Sequence, residues 1–156
     1  MLLDIKNYAE LQKKEQIALN QKFELAEANL LKAINNISTS VFDDLINNKF
    51  KKEIAYSYAH DINTNSISID VRYNEIKDLF INYGDTNVIT EYVNAKTKAK
   101  NYLVGKGEAL DIIKHRLLER IVDYLKNSNQ NFDIAAGKDI PFDDRYCIAI
   151  KINAEF

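Results

Sequence analysis

Two histidines and one cysteine stand beside the carboxylates as the side chains able to do metal or nucleophilic chemistry in this 156-residue chain. His60 is followed directly by Asp61, a pair that metal-dependent hydrolases use, but such sites draw further ligands from elsewhere. No histidine precedes His60, and the other, His115, lies far downstream. In "SYAHDINTNS" the aspartate also suits a turn, because its side chain can bond the backbone that follows. The turn is the expected reading.

Asp111, His115 and Glu119 are spaced four residues apart, which aligns them on one face of a helix and could present a divalent-metal site. A solvated, charge-laced helix face has the same pattern, and no HExxH element adds specificity. Asp139, Asp143 and Asp144 make the loop "DIPFDDRY" rich in oxygen donors, without the glycine spacing of a calcium loop. Cys147 falls on the polar face of an alternating segment, with no base in the sequence around it to generate a thiolate. No nucleophile elbow, phosphate loop or dinucleotide fingerprint occurs. No catalytic set, bound metal or cofactor is therefore expected.

The segment "EYVNAKTKAKNYLVGKG" carries Lys96, Lys98, Lys100 and Lys106 with Tyr102 interleaved, and no acid between Glu91 and Glu108. As a strand it would set Lys96, Lys98, Lys100 and Tyr102 on one face, a surface suited to single-stranded nucleic acid. As a helix it separates Lys98 from the other two. Nucleic-acid binding through these residues is one function to weigh. A metal-dependent hydrolase built on His60, His115 and the acidic loop is another.

Composition narrows the field. Hydrophobic residues make up 46% and charged residues 28%, ordinary values for a globular chain long enough to bury a core. The net charge of −2 gives no global attraction to nucleic acid or anionic lipid. Basic charge is carried by 17 lysines against 4 arginines, which disfavours dedicated phosphate clamping. Heavy use of Asn, Ile and Lys reflects AT-rich coding DNA, such as that of a phage or mobile element. A single cysteine suits a reducing compartment, and no secretory signal or membrane span is visible. A cytoplasmic address follows.

The elements that must position these residues begin with a helix. Leu19, Phe23, Ala26, Leu30, Ile34 and Ile37 recur at steps of three and four, while "ELQKKEQ" upstream offers one apolar residue, Leu11. A single helix to residue 36 would be about 50 Å long at 1.5 Å per residue. The globule of such a chain is roughly 40 Å across. The helix then either breaks or overhangs, and an overhanging amphipathic helix seeks a partner, often its own copy. Leu19, Phe23, Leu30 and Ile34 are the expected interaction surface, with residues 1–36 as the helix and 37–156 as one α+β domain.

A second helix is expected from Ser40 to about residue 50. Alternation over 54–60 and 66–73 around "DINTN" predicts a hairpin, although Phe42, Ile46, Phe50, Ile54 and Tyr58 also allow the helix to continue. Further helices fall before Gly84, from about Asp85 to residue 102, and from 108 to 125. "RYCIAIKINAEF" alternates as a closing strand over about 145–155, paired with 66–73. The sum is an α+β fold: a long N-terminal helix and further helices on a small antiparallel sheet. The expected function is a non-enzymatic, self-associating protein-interaction or assembly module.

Overall fold

The computed structural model describes residues 2–60, 66–128 and 132–152. The described residues form five helices and a three-stranded antiparallel sheet, an α+β fold with a long N-terminal helix. The helices are α1 (Leu2–Asn35), α2 (Thr39–Ala59), α3 (Tyr73–Tyr83), α4 (Asn87–Lys100) and α5 (Lys106–Ser128). The strands are β1 (Ser66–Arg72), β2 (Phe132–Ile140) and β3 (Arg145–Ile152), in the order β1-β3-β2. Helices α2, α3 and α5 meet the sheet, while α1 and α4 pack on each other and on α5.

The pairing of β1 with β3 follows from two apolar alternations that each need one buried face. Ile69 meets Ile148 and Ile67 meets Ile150 across the ladder. Ile69, Val71, Ile148 and Ile150 are buried under the helices, while Ser68 and Lys151 are exposed. Alternation of this kind fixes register, because a slip of one residue would turn every apolar side chain outward.

The expected hairpin does not form where alternation suggested it. Residues 54–59 continue α2, so the first arm is helix. Phe42 and Ile46, one turn apart, are anchored in the core and carry the helical register forward. The second arm is β1, and the loop 61–65 lies outside the described residues. The hairpin that does form joins β2 to β3 through one 3-10 turn, Pro141–Asp143. The ladder shifts register between Ile134 and Ala136. That shift disrupts the two-residue period and hides β2 from pattern reading.

Local chemistry sets the ends. Ser38 precedes α2, and its Oγ accepts the Ser40 N–H at 3.4 Å. The Arg72 N–H donates to Glu75 Oε1 at 3.2 Å at the start of α3, and Lys49 holds the same carboxylate at 2.9 Å. Gly84 ends α3, where a β-carbon would stand 2.8 Å from the Phe80 carbonyl oxygen. Asn101 takes the left-handed conformation (φ 58°) that closes α4, its N–H donating to Thr97.

The core gathers around α5, whose Ala109, Ile113, Leu117, Ile121 and Leu125 are all buried. Against it lie Leu30 and Ile34 from α1, Phe42 and Ile46 from α2, Phe80 from α3 and Tyr92 from α4. Packing thus runs across residue 36, and the second half of α1 belongs to the same core as the rest of the chain.

Candidate interaction surface

At 34 residues α1 is about 51 Å long. Its two halves differ. From Ala26 to Ile37 the core face is buried, whereas residues 4–18 are all exposed. Helix α4 runs antiparallel along the second half: Leu19, Leu25 and Ala26 share a groove with Glu91, Ala95 and Lys98. Gln16 Nε2 donates to the Ala99 carbonyl oxygen at 2.8 Å, which marks the level where α4 ends. Upstream of that bond Ile5 and Tyr8 are each 63% exposed, and Leu11 is exposed as well. The loop that follows α4 adds exposed Tyr102 and Leu103, the latter 90% accessible. Exposed large apolar side chains thus recur along the part of α1 that outruns α4.

The four apolar residues expected as a partner-facing surface are divided by the fold. Leu30 and Ile34 are 0% and 1% exposed and belong to the chain's own core, which corrects their assignment to a surface. Phe23 is half-buried, its ring 5.7 Å from that of Tyr92, with the Lys96 and Lys100 ammonium groups each 5.8 Å from its centroid. Leu19 is half-buried at the lip of the α1–α4 groove. The physical cause is the chain's own packing: Leu30 and Ile34 join the core around α5, and Tyr92 of α4 lies against Phe23.

The lysines do not form a row. The segment is helical, and Lys96 turns inward to pair with Glu108, beside the Tyr92 hydroxyl. Tyr92 in turn donates to Glu108 at 3.3 Å, and burial raises its pKa. Lys98, Lys100 and Lys106 are exposed, as is Tyr102, but they occupy a groove lip, a helix end and the next helix start. A strand-like face tracking a nucleic-acid backbone does not arise, and one of its four cations is already neutralised.

The residues with metal or nucleophilic potential stay apart. His60 directly follows α2, exposed, stacked on Tyr56 at 4.1 Å and with Nδ1 2.9 Å from the Tyr56 carbonyl oxygen. Asp61 lies outside the described residues. Asp111, His115 and Glu119 do line one exposed face of α5, and among the described residues no group of three His, Cys, Asp or Glu could hold a metal. Asp139 accepts the Tyr73 hydroxyl at 2.9 Å, Asp143 pairs with Arg145 at 3.1 Å, and the Asp144 carbonyl receives the Tyr73 N–H at 3.0 Å. These acids organise a turn. Cys147 lies on the open sheet face, where burial first and then the Asp70 hydrogen bond raise its pKa, against nucleophilic use.

Tyr73 offers a test of this arrangement. Its pKa is pushed up to about 12, by burial first and then by the hydrogen bond to Asp139. The unfolded chain loses this proton near pH 10, before the folded one does. The associated stability is therefore complete below pH 10 and is lost as pH rises toward 12, by about 1 kcal/mol at pH 11. Urea midpoints at pH 8 and pH 11 should fall further apart for the parent than for Tyr73→Phe. Equal shifts would show that Tyr73 is not held in this way.

Sequence reasoning overlooked Ile5 and Tyr8, whose spacing with Leu11 at i, i+3 and i+6 was the available signal. Among the described residues no helix is long and apolar enough to cross a membrane. No family model, no curated protein and no solved structure matches the chain.

Proposed function

We propose that this chain is a non-enzymatic interaction module that self-associates through the uncovered N-terminal half of α1. One observation carries the reading: a regular helix leaves its domain at Gln16 with Ile5, Tyr8 and Leu11 exposed. An isolated helix of this length is marginal in water, so contact with a second apolar surface would stabilise both helix and complex. Glu10 and Lys14, one turn apart in the favourable order, lend the free rod only a few tenths of a kcal/mol. The absence of a coherent catalytic set in the sequence agrees with a binding role, and the lone Cys147 fits a reducing compartment such as the cytoplasm.

Light-scattering chromatography at ~100 µM should give a mass above that of one chain, falling toward the monomer at ~1 µM. The double substitution Ile5→Asp with Tyr8→Asp should abolish the higher mass while leaving the thermal midpoint of the domain within about 2 °C, since neither residue is in its core. A monodisperse monomer at the higher concentration would overturn the proposal.

A further inference from the structure

Building on that self-association, we infer that the occupant of the overhang is a second copy of α1 running antiparallel, with the two-fold axis at Tyr8. The first argument is continuity of the face. Positions seven apart drift by only about 20° around a straight helix. Ile5 and Gln12 therefore continue the row Leu19, Ala26 and Ala33, of which Ala26 and Ala33 are buried against the chain's own elements. Whatever covers Ile5 and Tyr8 lies in line with α4, just beyond its end.

Steric exclusion then sets the direction. A second α1 laid parallel in this lane would carry its own residues 16 onward into the space that α4 already fills. Laid antiparallel, its downstream half leads away from the first protomer. Each copy then occupies the lane that opens where the other's α4 stops, at the level of Gln16 and Ala99. The exposed Leu103 in the loop after α4 comes to lie beside the partner copy's first helical turn.

The register follows from the spacing. Ile5 and Leu11 stand three residues on either side of Tyr8, so an axis there sets Ile5 of each copy against Leu11 of the other and Tyr8 against itself. Moving the axis to residue 9 would oppose Ile5 with Lys13 and Leu11 with Asn7. Ile5, Tyr8, Leu11 and Leu103 would each remove roughly 100 Å² from water, about 800 Å² over two copies. That is below the standard size of a stable interface and in the range of weak, reversible association.

Single cysteines in a Cys147→Ser background test the geometry under mild oxidation. Tyr8→Cys should cross-link to a covalent dimer. Ile5→Cys alone and Leu11→Cys alone should not, while a mixture of those two should give the heterodimer. A parallel pair would instead cross-link Ile5→Cys with itself, overturning the antiparallel axis. The Cys147→Ser parent, which keeps Ile5, Tyr8 and Leu11, separates the two ideas when its mass is measured by light scattering without oxidant. A dimer with neither the Tyr8→Cys nor the mixed cross-link refutes the axis alone, whereas a monomer refutes self-association itself.

Discussion

Leu30→Ala is expected to cost about 3 kcal/mol of folding stability, the usual loss when a fully buried leucine leaves a cavity. Leu30 is inaccessible to solvent and packs among core residues drawn from the other helices and the sheet. The residues around it belong to one continuous buried cluster, so little collapse into the space is available. Chemical denaturation should show the same loss at ~1 µM and ~100 µM protein, because the contacts are within one chain. The comparison with Leu11→Ala is the informative one. Leu11 is exposed in the overhang, and its removal should change folding stability by less than about 0.5 kcal/mol while weakening association. If Leu30→Ala were harmless to folding, the division of α1 into a core half and a free half would be wrong.

Arg120→Met should cost about 2 kcal/mol, by removing a charge-assisted bond and a stacked cation. Arg120 Nη1 donates to the Ile34 carbonyl oxygen at 2.7 Å, and its guanidinium lies 5.0 Å from the Phe42 ring centroid. Ile34 is in the last turn of α1, where its carbonyl also accepts the Ile37 N–H at 3.3 Å and the helix dipole presents its negative end. One side chain on α5 thus ties the end of α1 to the start of α2. Burial lowers the Arg120 pKa, yet an arginine remains charged at any working pH. Methionine keeps the length and apolar stem, so the loss reports the guanidinium. Arg120→Lys should recover part of it, since charge returns without the planar stack. Equal unfolding midpoints for all three proteins would show that the tie contributes nothing.

Several elements were legible in the residues because their physics is local or periodic. The stripe from Leu19 to Ile37 reads as helix at any depth of burial. Ile67–Tyr73 and Tyr146–Ile152 alternate cleanly, and two half-apolar strands in one chain are expected to pair. Gly84 and the Asp85–Thr86 restart punctuate α3 and α4 as their backbone preferences require. Other elements were not legible. Ile54, Tyr56 and Tyr58 satisfy a two-residue alternation and also continue α2, and only the anchoring of Phe42 and Ile46 decides between them. In β2 the register shift after Ile134 breaks the alternation that would have betrayed a strand.

The candidate surface shows the same division. From sequence, the amphipathic face of α1, its excess length and the absence of a catalytic set were all available. Which part of that face remains free was not, because a stripe of apolar residues has one pattern whether its cover comes from the same chain or from another. Packing within the chain placed Leu30 and Ile34 in the core, set Phe23 against Tyr92 of α4 and drew Lys96 into a pair with Glu108. What it left exposed on α1 was Ile5, Tyr8 and Leu11 in the overhang, with Ile17 and Leu25 farther along. Periodicity determined that α1 has a greasy side, and tertiary packing alone decided where along its length that side meets water, since burial depends on neighbours distant in the chain.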